Sequence, residues 1–220
     1  NAWLSEAHIT LSDPFTGTQI VEKPELPYAS QLALDDSGIL AFVEIPKLHV
    51  YLPVYHTTSA EVLQRGAGHL EGTALPVGGA GNRPVISAHS GMNRAQMFSD
   101  LSDLKTGDLF LIHVLDETLT YQVCDMAVIL PEDTQALVPE KDRDLVSLVT
   151  CTPYGINTHR LVVTGERTDE MASGQETDDR VSSTWRHAYL NALLLGFGIA
   201  GGAGVMIRIL SRYRRKVREQ

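Results

Sequence analysis

Three residues of this 220-residue chain have types and settings suited to acyl transfer: Cys151, His89 and Arg160. Cys151 ends the apolar run Leu145-Val146-Ser147-Leu148-Val149-Thr150, and His89 directly follows Pro84-Val85-Ile86-Ser87-Ala88. Arg160 opens Leu161-Val162-Val163, nine residues after the cysteine. Thiolate is the nucleophilic form of cysteine, and a nearby imidazolium or guanidinium favours it. Histidine can protonate a leaving amine and later deprotonate an incoming one. Arginine presents several donors in a fixed fork to a carbonyl oxygen or to the oxyanion that develops from it. A core thiol and a satisfied histidine explain the first two residues equally well, so residue types alone leave both readings open.

The elements that would hold these groups read as strands. Short apolar runs occur at Ile39 to Ile45, Val50 to Tyr55, Val85 to Ala88, Leu109 to Val114, Leu119 to Ile129, Leu145 to Thr150 and Arg160 to Thr164. Strands of this length, separated by turn residues, indicate an all-β barrel or sandwich. Two short helices are expected, Ser59 to Arg65 with Ser59 as N-cap, and Ala95 to Leu104. All three reactive side chains then fall at strand ends, where a rigid rim presents them to solvent.

Charge is divided unevenly. The net charge is −9, yet residues 186–220 hold seven basic residues against Glu219 and sum to +6, leaving −15 for the rest. An acidic body argues against nucleic-acid binding. Ala188 to Ile207 is a run of 20 residues without a charge, flanked by Arg186 and by the basic cluster from Arg208 onward. That is the length of a bilayer-spanning helix, and its flanking charges put the C-terminus in the cytoplasm and the body outside the cell. An external body requires export, and no signal peptide is legible at the N-terminus, so trimming or processing is expected there. Cys124 and Cys151 are the only cysteines. Cys124 lies in an alternating strand-like run and is expected to be a small packed side chain, not half of a disulfide.

Thr150-Cys151-Thr152-Pro153-Tyr154, followed by His159-Arg160-Leu161, closely resembles the signature of the sortase family. In that signature a Thr-Leu-x-Thr-Cys strand precedes an arginine on the next strand; Ser147 takes the first position here. The segments Gly66 to Pro76, Ala88-His89-Ser90-Gly91 and Leu104 to Phe110 are also similar to sortase sequence, and the resemblance covers about residues 37–167. It implies an eight-stranded sortase β-barrel, mainly β with short helices, with Cys151, His89 and Arg160 as the catalytic residues. Asp13-Pro14-Phe15 resembles the lid of class C sortases, in which an aspartate and an aromatic residue plug the active site. Asp13 is then expected to pair with Arg160, or another basic group, at a partly exposed rim, with Phe15 over the thiol. A plain Asp-Pro turn is the other reading of those residues. Ala88 and Ser90 depart from the glycine and arginine that flank the histidine in many class C members.

The organisation implied is an N-terminal lid region (1–36), a catalytic barrel (37–167), a polar tether (168–185), a transmembrane helix (186–210) and a basic cytoplasmic tail (211–220). The implied activity is cleavage of a Leu-Pro-x-Thr-Gly-like sorting signal through a thioacyl enzyme, then transfer to a pilin lysine. The implied partners are pilin or surface-protein substrates and the membrane, with no nucleic acid, no cofactor and no metal. The rival readings are a housekeeping sortase that uses a cell-wall precursor amine, a cysteine hydrolase that uses water, and a non-catalytic membrane-tethered β-domain adhesin. His69 reads as structural, and Asp142 or Asp144 as residues that could orient a histidine.

Overall fold

In the computed structural model of the chain, the residues described are 13–15, 28–32, 37–91 and 96–169. Among these residues eight strands run in sequence: β1 (Ile39–Ile45), β2 (Val50–His56), β3 (Ala67–His69), β4 (Val85–Ser87), β5 (Leu109–Val114), β6 (Glu117–Ile129), β7 (Leu145–Thr152) and β8 (His159–Arg167). They close into a barrel of order β1-β2-β3-β4-β7-β8-β6-β5. Closure removes the unpaired sheet edges that would otherwise template association. Most neighbours are antiparallel, but β2 with β3 and β4 with β7 are parallel. The first parallel pair needs a crossover, which α1 (Ala60–Arg65) supplies. Ser59 caps that helix as expected, its Oγ accepting from the Val62 N–H at 3.3 Å.

The barrel interior is filled by alternating residues of every long strand. Val43, Ile45, Ile86, Phe110, Ile112, Tyr121, Val146, Leu148 and Val163 belong to one buried cluster. Phe110 and Tyr121 stack at 5.6 Å between centroids, and a Cβ at Gly165 would overlap the Phe110 ring. A second cluster, Leu70, Val85, Leu137, Val149 and Val162, covers the outer face of β4, β7 and β8, with Phe15 and Ile129 packed against it. Burial on both faces explains why β7 and β8 read as continuous apolar runs and not as alternating ones.

One strand is absent from the sequence reading, and one expected helix needs correction. The strand β3 carries Gly68 at its centre and no apolar run, so periodicity does not reveal it; a Cβ at Gly68 would collide with the Thr57 carbonyl. The helix expected over Ala95 to Leu104 is absent where described: residues 97–100 form turns and only Leu101–Asp103 form a single 3₁₀ turn. Met97, Phe98, Leu101 and Leu104 are buried and gave the helix-like spacing, but they close a loop over the core. The expected transmembrane helix, the tether and the basic tail lie outside the described residues. Among the described residues no helix is long and apolar enough to cross a membrane.

Candidate active site

The strand register brings Cys151 and Arg160 together. They are directly opposed on antiparallel β7 and β8, and Ile129 of β6 stands on the other side of Arg160. Directly opposed residues project to one face. His89 arrives from the end of β4. The Ala88 N–H continues the ladder to the Val149 carbonyl at 3.1 Å, and the Thr150 hydroxyl donates to the Ala88 carbonyl at 2.8 Å. The Ser90 hydroxyl donates to the Cys151 carbonyl, also at 2.8 Å. These bonds fix the His89 backbone beside Cys151 from both sides.

Gly91 then turns the chain away with φ +79°, under the ring of Tyr154. A Cβ there would lie 2.5 Å from that ring, so the turn needs glycine on both counts.

Arg160 is held in one orientation. Its Nη1 donates to the Asn157 carbonyl at 2.9 Å and to the His159 carbonyl at 3.0 Å. The opposite edge, Nε and Nη2, faces the carboxylate of Asp13 in a two-pronged pair at 2.6 Å each. Side-chain exposure is 7% for Arg160 and 5% for Asp13, so this pair is buried and not at the partly exposed rim expected from sequence. Phe15 completes the cover, with the Arg160 guanidinium 5.0 Å above its ring and the His89 ring 5.8 Å away. Pro14, between them, is buried as well.

Electrostatics in this closed state keep the thiol and imidazole neutral. Burial pushes the Cys151 thiol up; Arg160 pulls it back, and Asp13 pushes it up again. Burial pulls His89 down. Asp13 therefore acts twice, by occupying the guanidinium and by adding negative charge near the sulfur.

Other expected residues separate cleanly. His69 is fully buried on β3; its Nε2 donates to the Ala74 carbonyl at 2.7 Å and its Nδ1 accepts from Tyr28 Oη at 2.8 Å. Burial holds its pKa down at about 4, so it is a neutral structural group, as expected. Asp144 accepts from the Gly79 N–H at 2.7 Å and from the Tyr121 hydroxyl at 3.1 Å, at the far end of β7 from Cys151. It holds a loop and, among the described residues, hydrogen-bonds no histidine, and Asp142 sits in a turn with φ +67°. Cys124 and Cys151 are both free thiols. Among the described residues no cluster of three or more His, Cys, Asp or Glu is arranged to hold a metal.

Residues 43–168 match the family model of the sortase domain. The chain belongs to the sortase family. Its solved relatives include class C members. Sortase C-1 from Actinomyces oris is 43% identical with a TM-score of 0.66, over 73% of this chain and 89% of that one. Streptococcus pneumoniae sortase C, whose structure bears on catalysis and pilin substrate specificity, is 40% identical with a TM-score of 0.66, over 74% and 80%. A lid mutant of sortase A from Corynebacterium diphtheriae is 43% identical with a TM-score of 0.66, over 70% and 83%. By fold and family this chain is a sortase of the transpeptidase kind, most like class C.

Proposed function

We propose that this sortase cleaves a Leu-Pro-x-Thr-Gly-like sorting signal through Cys151 and joins the new carboxyl terminus to a pilin lysine. The observation that carries the reading is the opposed Cys151–Arg160 pair beside His89, closed by Asp13 and Phe15. The Cys151 thiol passes its proton to neutral His89, and the resulting thiolate attacks the threonine carbonyl. The resulting oxyanion takes the Nε–Nη2 edge of Arg160, which the Asp13 carboxylate occupies in the closed state. Collapse breaks the Thr–Gly bond, and His89 hands its proton to the departing glycine amine. The thioester is then attacked by the lysine amine, which loses a proton to His89 as the thiolate leaves, giving an isopeptide bond. No redox step or cofactor enters this balance.

Asp13, Pro14 and Phe15 act as the lid. A lid is a subject of study in the Corynebacterium diphtheriae relative, and pilin specificity in the Streptococcus pneumoniae one, which supports both assignments. The apolar run 188–207 anchors the enzyme in the cell membrane, with the barrel outside and the C-terminus in the cytoplasm. The test is a reaction of purified enzyme, sorting peptide and a lysine-bearing pilin, read by mass for the acyl-enzyme and for the isopeptide. A lysine-free pilin should give acyl-enzyme and no polymer. Joining only to a cell-wall precursor amine would make the protein a housekeeping sortase; joining only to water would make it a hydrolase.

A further inference from the structure

One polar atom on the face that carries Cys151 has no hydrogen-bond partner among the described residues. Ser87 is fully buried, and among the described residues its Oγ is the buried side-chain polar atom without a hydrogen-bond partner. The ladders fix its place. Ser87 stands two residues before His89 and so leaves the sheet on the same face. It pairs with Val149, two residues before Cys151, and Val149 pairs with Val162, two residues after Arg160. Two rows result, with His89, Cys151 and Arg160 above, and Ser87, Val149 and Val162 one pleat below, roughly 6.6 Å along the strand. Phe15 packs on the cluster that holds Val149 and Val162. One pleat further down the hydroxyls are satisfied, since Ser147 and Thr164 accept from Arg83 at 2.9 and 2.8 Å. A buried hydroxyl left unpaired is destabilising, and alanine would fill the same position without that penalty.

We propose that the Ser87 hydroxyl is a substrate-contacting group that donates to a backbone carbonyl of the acyl-donor peptide once Phe15 leaves the cleft. The inference rests on the acyl-transfer reading of the site. An extended peptide advances roughly 3.3 Å per residue, so a chain whose scissile carbonyl stands at Cys151 reaches the depth of Ser87 within two residues. The cluster side chains around that depth, Leu70, Val85, Val149 and Val162, are all apolar. A peptide carbonyl entering there loses water and needs a donor, which Ser87 supplies.

The test compares wild type with Ser87→Ala in the full chain. Single-turnover formation of the acyl-enzyme from a Leu-Pro-x-Thr-Gly peptide is read beside thermal unfolding and alkylation of Cys151 by iodoacetamide. Ser87→Ala should unfold at the same or a higher temperature and alkylate as wild type does, yet acylate with a kcat/KM about 5- to 10-fold lower. Replacing the amide at the contacted carbonyl by an ester, a weaker acceptor, should slow wild type and leave Ser87→Ala unchanged. Equal kcat/KM in the two proteins overturns the contact. So does a loss accompanied by a lower unfolding temperature or slower alkylation, which would make Ser87 structural, and so do additive losses with the ester. If wild type alkylates but forms no acyl-enzyme, the acyl-transfer reading fails, and the Ser87 role with it.

Discussion

Removing the side chains of Asp13 and Phe15 together should expose Cys151, and the structure sets the size of the effect. Asp13 makes two charge-assisted hydrogen bonds to Arg160 in a pair that is almost fully buried. Each such bond is worth about 1.5–3 kcal/mol, and desolvation of the two charges takes much of that back. Phe15 adds packing on the outer cluster and a guanidinium over its ring, about 1–2 kcal/mol for a half-buried aromatic. Pro14 lowers the entropy that closing the lid would otherwise cost. A net closing free energy on the order of 1–3 kcal/mol remains, so the open state is a minority of roughly 1–15%. Asp13→Ala/Phe15→Ala, made with Cys124→Ala so that one thiol reports, should therefore be alkylated at Cys151 roughly 10- to 100-fold faster at neutral pH. A second signature lies in the pH profile. Burial and Asp13 both raise the thiol in the closed state while Arg160 lowers it, so the variant's alkylation midpoint should move to lower pH. Rates within a factor of two and an unmoved midpoint would refute this reasoning and leave residues 13–15 as an ordinary turn.

Cys151→Ala should abolish acyl-enzyme and polymer while leaving the unfolding temperature nearly unchanged, whereas Cys124→Ala should cost only on the order of 1 kcal/mol of packing; polymer from the first variant would sink the assignment. Arg160→Lys should lose most transpeptidation, because a point charge cannot replace the Nε–Nη2 edge that two backbone carbonyls hold in place, and near-wild-type turnover would reduce the role to charge. Stability should fall as pH drops through the window between about 6.5 and about 4. His69 stays neutral in the fold until about 4, while the unfolded chain protonates at its ordinary value of 6.5. The unfolded state thus binds the extra proton in that window. The contribution is complete above it and shrinks by up to about 3 kcal/mol across it. Chemical denaturation at pH 7 and pH 4.5 checks this, and His69→Gln should show a shallower dependence.

Strands that bury apolar runs declared themselves in the sequence, and seven of the eight could be read from composition and turn residues. What escaped notice is carried by contacts between distant segments. The strand β3 has a glycine at its centre because the Thr57 carbonyl approaches there, and nothing in a local window records that approach. Residues 97–104 have a helical spacing of apolar side chains, yet tertiary packing uses them to close a loop. The roles of Cys151 and Arg160 were suggested by motif, but their direct opposition depends on the β7–β8 register, which nine intervening residues alone do not specify. Ser87 carried no signal at all. Its interest lies in the absence of a partner, and a sequence does not list partners.

Asp13 occupies the Nε–Nη2 edge of Arg160, and if that edge receives the oxyanion as proposed, closure by residues 13–15 and substrate binding compete for one set of donors. A carboxylate presents two oxygens carrying shared negative charge, as a tetrahedral intermediate presents one, so the same fork serves both. The competition also settles the state of the thiol. While Asp13 holds the guanidinium, the positive charge nearest Cys151 is neutralised and the sulfur keeps its proton. On the acyl-transfer reading proposed above, a sorting peptide that displaces Asp13 would release Arg160 in the same step that delivers a carbonyl, and the thiolate would become favourable then. On that reading a reactive thiolate would be withheld from adventitious electrophiles until an acyl donor is present. The cost would be that part of every substrate's binding free energy, on the order of the closing free energy, goes into displacing residues 13–15.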